Sequence, residues 1–148
     1  MRRKSEKLKR KLKHLTIDMA RIKSMWCCGC QKTVGARLTN GEEVYPHRQD
    51  LWQIPFWICR TCKNFVGCHH KTHKRTAPLG NIATPEIKKI RQQIHNLLDP
   101  IWKEGKYTRT QAYKIISDNL NFTYHTADIK HISEAKKVVE IIKNKLLN

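Results

Sequence analysis

Two pairs of cysteines have the spacing of a metal site: Cys27-x2-Cys30 and Cys59-x2-Cys62, with 28 residues between the pairs. Each pair can fold as a knuckle that turns two sulfurs toward one ion, and four thiolates suit tetrahedral zinc with Zn–S bonds near ~2.3 Å. A closed set of four leaves no position for water, so the expected metal holds the fold and does no chemistry. A CxxC redox pair is the other reading; two matched pairs favour a metal cage. Cys28 can replace Cys27 as a ligand, but Cys28-Gly29-Cys30 has a single intervening residue and makes a poorer knuckle, which favours Cys27. Cys68 begins Cys68-His69-His70-x2-His73, a pattern that can hold a second ion, although a cysteine at the end of an apolar strand is more often packed in a core.

Two further constellations carry chemical potential. Arg91, His95 and Asp99 fall at i, i+4 and i+8, so on a helix they share one stripe, where Asp99 can orient His95 and Arg91 can meet a phosphate. The plainer reading, which is preferred, is a surface ion pair together with a cap, since Asp99 precedes Pro100. Between the cysteine pairs lies Tyr45-Pro46-His47-Arg48, where ββα-metal nucleases of the HNH type carry a general-base histidine. Pro46 replaces the Asp usual there, and Lys63-Asn64 follows Cys62 where a His is usual; His69 is then the remaining candidate ligand for a catalytic metal. Arg48 and Trp52 suit phosphate contact and base stacking, with packing in a β module as the alternative for Trp52.

The elements that position these residues come from a chain of 148 residues, enough for one ordinary domain or two small units and too short for a large multi-domain enzyme. A hydrophobic share of 39% with 7% aromatic residues is thin, so a sizeable single core needs help from metal or a partner. The segment 1–24, with Leu8, Leu12, Leu15, Met19 and Ile22 at spacings of 4, 3, 4 and 3, reads as an amphipathic basic helix and extends to residue 25 as the first segment of the chain. Residues 26–76 read as a zinc-ribbon-like β module. In it Thr33–Leu38 and Glu42–Tyr45 form strands around an Asn40-Gly41 turn, and Phe56–Ile58 and Phe65–Gly67 form a hairpin that carries the second cysteine pair at its tip.

Residues 77–148 read as helical. Thr84 caps a helix with Pro85 in its first turn and Ile87, Ile90, Ile94 and Leu97 as its stripe, ended by Asp99-Pro100. Thr108 and Gln111 form a capping box before Ala112, Tyr113, Ile115, Ile116 and Leu120, and Ser133 caps a last helix with Val138, Val139, Ile142 and Leu146 inside. The fold class is therefore α+β, a small zinc-stabilised β module followed by a helical bundle packed on it.

The charge points to the partner. Thirty basic against 12 acidic side chains give +18. Residues 1–24 carry ten basic against two acidic side chains, and residues 51–85 carry five basic and none acidic. Such a field attracts polyanions, of which nucleic acid, DNA or RNA, is the usual one; an acidic protein partner would produce the same composition. The expected phosphate contacts are Arg48, Arg60, Lys63, Lys71, Lys74, Arg75, Lys88 and Arg91, with Trp52 or Trp57 stacking on bases. No run of about 18 apolar residues and no leader pattern is found, so neither membrane insertion nor export is expected, and the cysteines belong in a reducing compartment.

Taken together, Cys27-x2-Cys30, Val44-Tyr45-Pro46-His47-Arg48-x-Asp50-Leu51, Phe56-Trp57-x-Cys59-x2-Cys62, Val66-Gly67-Cys68-His69, Pro78-Leu79-Gly80, His95, Asp99, Trp102 and Ala112-Tyr113 form a familiar string. Over about residues 26–125 the chain resembles a zinc-finger-containing domain family of unknown function carried by phages and prophages. The resemblance implies a zinc-binding protein of viral or prophage origin acting in a bacterial cytoplasm, and implies no reaction. The expected function is zinc-stabilised nucleic-acid binding. A metal-dependent nuclease using His47, His69 or His95, and an inhibitor that binds a host nucleoprotein complex, are the alternatives.

Overall fold

A computed structural model describes residues 4–9 and 21–147 of the chain. Its elements divide into two compact units, one reaching to Ile82 and one starting at Ala83. Residues 77–82 thus belong to the first unit, beyond the 26–76 read for the β module.

The first unit is a four-stranded antiparallel sheet in the order β1-β2-β3-β4, formed by β1 (Ile22–Cys27), β2 (Lys32–Asn40), β3 (Pro55–Cys59) and β4 (Phe65–Gly67). On β2, Val34, Ala36 and Leu38 alternate onto the face that packs with Cys27, Trp57, Cys59, Val66, Cys68 and Ile82, the period-2 pattern of a half-buried strand. All five residues of β3 are buried, as suits an internal strand. After β4 the chain returns, and Ile82 lies parallel beside Cys27, its N–H donating to the Trp26 carbonyl (3.0 Å) and its carbonyl accepting from the Cys28 N–H (2.8 Å).

Three expectations for this region are corrected. The basic helix does not extend to residue 25, because Ile22–Cys27 pairs with β2 from Ile22↔Arg37 to Cys27↔Lys32. Residues 4–9 are helical, with Leu8 exposed; Leu12, Leu15 and Met19 lie outside the described residues. Asn40-Gly41 is not a hairpin turn. Asn40 is extended and its side chain accepts from the Glu42 N–H (3.0 Å), capping a short helix α1 (Gly41–Val44) in place of the expected strand. Gly41 is required by close approach, since a Cβ there would stand 1.8 Å from the Leu51 carbonyl oxygen.

The second unit is helical: α2 (Pro85–Lys103), α3 (Arg109–Leu120) and α4 (Ile132–Ile141), the last running on into a π turn over Ile142–Leu146. Thr84 caps α2 with Pro85 in its first turn, and Thr108 and Gln111 make both bonds of the capping box on α3, as expected. Pro100 does not end α2. It opens the last turn, and burial of Ile101 with the edge contact of Trp102 on Tyr113 (6.3 Å between ring centres) fixes the residues beyond it. The N-cap of α4 is His131, which makes no side-chain cap bond; Ser133 lies inside the first turn. Ile87, Ile94, Leu98, Ile116, Ile129, Val138, Ile142 and Leu146 are buried among the core residues. No helix among the described residues is long and apolar enough to cross a membrane.

Candidate metal centre and basic surface

The two knuckles are built alike. The first turns between β1 and β2, the second between β3 and β4, and in each the residue after the second cysteine reverses the chain. Gln31 (φ 54°) donates its N–H to the Cys27 carbonyl (2.8 Å), and Lys63 (φ 65°) donates to the Cys59 carbonyl (3.0 Å). The reversal aims backbone N–H groups at the first sulfur of each pair, from Gly29 and Cys30 onto Cys27, and from Thr61 and Cys62 onto Cys59. The first cysteine pair therefore sits in a hairpin turn, where a hairpin following it was expected.

Together the knuckles bring the four sulfurs of Cys27, Cys30, Cys59 and Cys62 within 4.8 Å of one another. Cys27 Sγ stands 3.4 Å from Cys62 Sγ and Cys30 Sγ 3.6 Å from Cys59 Sγ. Zn–S bonds of ~2.3 Å in a tetrahedron place sulfurs about 3.8 Å apart, so the cage fits zinc after an adjustment of a few tenths of an ångström. The donors also fit chemically. In thiol form, burial pushes Cys27 up to about 12, and the contact with Cys59, followed by burial, raises Cys30. Burial also acts upward on Cys59, but the N–H groups of Cys62 and Thr61 and the neighbouring thiols of Cys62 and Cys30 outweigh it and bring the group down to about 7. A dication offsets the cost of holding these sulfurs as thiolates.

Two contacts around the cage were not foreseen. Asn64 donates Nδ2–H to Cys62 Sγ (3.2 Å), and Gly29 leaves room for that amide, since a Cβ would lie 2.5 Å from Asn64 Nδ2 and 3.1 Å from the sulfur. The signal for this pair was the shared knuckle frame: Asn64 stands five residues after Cys59, beyond the reversing Lys63.

Cys28 and Cys68 lie in the core, apart from the cage, and burial raises the Cys68 thiol to about 11. Among the described residues, the four cage cysteines are the only group of three or more His, Cys, Asp or Glu side chains close enough to share an ion. The second ion considered at Cys68, His69, His70 and His73 is thus not formed. Of the histidines considered for a nuclease, His47 and His69 are exposed, and His95 is half-buried on α2 without a hydrogen bond to Asp99. Trp57 is 7% exposed with Nε1 bonded to the Thr76 carbonyl (2.7 Å), so it packs and does not stack on bases; Trp52 is half-buried and donates to the Pro46 carbonyl (3.2 Å).

The expected phosphate contacts separate by what already holds them. Arg48 forms a two-point ion pair with Asp50 (2.9 and 2.7 Å). Lys63 lies in the field of Glu43, whose carboxyl is lowered first by Arg37. Arg60 donates to the Gly35 carbonyl (3.1 Å), and Arg75 donates to those of Gln53 (2.7 Å) and His70 (3.2 Å). In the second unit Arg91 donates to the Ile129 carbonyl (2.6 Å), and burial, then the nearby Arg91 charge, lowers Lys88. Lys71 and Lys74 are exposed, and no carboxylate among the described residues pairs with either.

A family model described as a zinc-finger-containing domain matches residues 22–145. No curated protein and no solved structure matches the chain.

Proposed function

The chain belongs to the zinc-finger-containing domain family, and from that premise we propose that it is a nucleic-acid-binding protein of phage or prophage type, held in shape by zinc and acting in a bacterial cytoplasm. The phage assignment rests on the motif string from Cys27 to Tyr113. The observation that carries the binding function is the segment His69–Arg75. It contains Lys71, Lys74 and Arg75, has no acidic residue, and lies within an acid-free stretch of the sequence from residue 51 to 85.

A structural zinc site suits this role, because it fixes the strands from which the basic loop hangs and keeps no open coordination position. Each phosphate neutralised by Lys or Arg releases counterions, so binding is strong at low salt and falls steeply as salt rises. The test is a titration of zinc-loaded protein into labelled DNA and RNA at several salt concentrations, with and without magnesium. Salt-sensitive binding with intact strands is expected, and Lys71→Ala with Lys74→Ala should reduce the logarithmic salt slope by about two contacts at ~0.9 each. No binding at low salt overturns the proposal and leaves an acidic protein as the partner. Cleavage that needs magnesium and disappears in His47→Ala replaces it with the nuclease.

A further inference from the structure

The basic loop is held rigid from below. His69 N–H donates to the Ala77 carbonyl (2.8 Å), closing the loop at its base, and Ala77 N–H donates to that of Lys74 (3.0 Å). The Thr72 hydroxyl donates to the His69 carbonyl (2.8 Å). Trp57, from the middle of β3, holds the Thr76 carbonyl, and Arg75 ties the loop to Gln53. These bonds fix the backbone beneath Lys71 and Lys74, so the two side chains are rooted at set positions.

Among its described residues the first unit offers no open Phe, Trp or Tyr ring to a base; its exposed rings are the imidazoles of His47, His69 and His73. Phe56 and Trp57 are buried, Tyr45 and Phe65 close edge-on against Phe56 and each other, and Trp26 and Trp52 are half-buried. Among the described residues Phe122 is the one exposed Phe, Trp or Tyr ring, and it lines a groove of the second unit where Glu134 and Glu140 outnumber Lys137. Residues 1–3, 10–20 and 148 contain no Phe, Trp or Tyr.

Single strands are held by stacking bases on open rings along a basic track. Duplexes present stiff rows of phosphates that a fixed set of cations can match without touching a base. Resting on the nucleic-acid reading above, we infer that the ligand is a duplex, gripped through its phosphate backbone by the loop His69–Arg75, with Lys71 and Lys74 as the contacts and Arg75 as the residue that positions them.

The experiment measures zinc-loaded full chain against a 20-base-pair DNA duplex, the same sequence as an RNA duplex, and each isolated strand, at one salt concentration. At least one duplex should bind about fivefold or more tightly than its own strands, since only the strands depend on stacking. Preference for DNA or RNA then identifies the duplex. Lys71→Gln with Lys74→Gln should abolish the duplex preference while zinc content is kept. Arg75→Lys retains the charge but loses the two-carbonyl tie, and should lower duplex binding while leaving single-strand binding within about twofold, a split that loss of charge alone does not produce. Equal or tighter binding of single strands overturns the inference and leaves the nucleic-acid reading standing, whereas absence of binding to every probe overturns both. A duplex preference that survives in the Lys71, Lys74 double variant removes the loop from the interface, and an unchanged ratio in Arg75→Lys overturns the positioning role of Arg75.

Discussion

Cys27 and Cys28 are neighbours with different fates: Cys27 ends β1, and Cys28 opens the turn that follows it. Cys27 is buried with its sulfur in the cage, and Cys28 is buried outside the cage with its N–H on the Ile82 carbonyl. Cys27→Ser should therefore abolish stoichiometric zinc, while Cys28→Ser keeps one ion per chain; metal analysis of the purified variants decides it, and equal losses would contradict the assignment. The thiols also set a proton balance. Cys27 and Cys30 lie above their ordinary value, so at pH 7.5 zinc displaces at least about two protons from them, and affinity rises with pH. Calorimetric titration in buffers of different ionisation enthalpy reads this directly, and a heat independent of buffer would exclude it. Lys63 is held left-handed, a conformation that costs a non-glycine residue on the order of 1 kcal/mol. Lys63→Gly should stabilise the zinc-loaded protein by up to ~1 kcal/mol and Lys63→Val destabilise it, as denaturant midpoints would show.

At the scale of elements, legibility followed the locality of the signal. Thr84 and Thr108 were readable as caps because a cap is settled within four residues, and the capping box of Thr108 and Gln111 is present as read. Thr108→Ala should cost about 1 kcal/mol in thermal unfolding of the helical unit. The metal ligands were legible for the same reason, two residues between partners. Asn40-Gly41 was misread because the dipeptide suits both a reversed turn and a capped helix. What selects the helix is distant, the Leu51 carbonyl pressed against Gly41 and the Arg37 and Thr39 bonds to Glu43. β1 was hidden in a stretch whose leucine spacing is helical, and only pairing with β2 shows that Ile22 belongs to a sheet. Pro100 reads as a stop in the sequence, although removing one N–H is tolerable where Ile101 is buried beyond it. In the basic surface, sequence supplied the charges but not their employment: Arg48, Arg60, Arg75 and Arg91 are tied within the protein.

On the scale of the whole molecule, the two units draw stability from different sources. The sheet unit is small and arranged about its cysteines, and structural zinc in comparable small fingers contributes an apparent ~10–16 kcal/mol. The helical unit has its own buried residues, including Ile94, Leu98, Ile116 and Ile142, and no part of the cage. Chelation of zinc should thus unfold the sheet unit, red-shifting the fluorescence of buried Trp57, while most of the helical circular dichroism persists. Loss of both signals in one step would show that the units unfold together. The strand segment at Ile82, which covers the outer edge of β1 beside Cys27, also dates the birth of the metal-bound fold. During synthesis both knuckles leave the ribosome before Ile82 does, so the edge of the sheet stays open until Ile82 follows. Because synthesis is vectorial, the zinc-clamped sheet is complete on a nascent chain before its last helix has emerged.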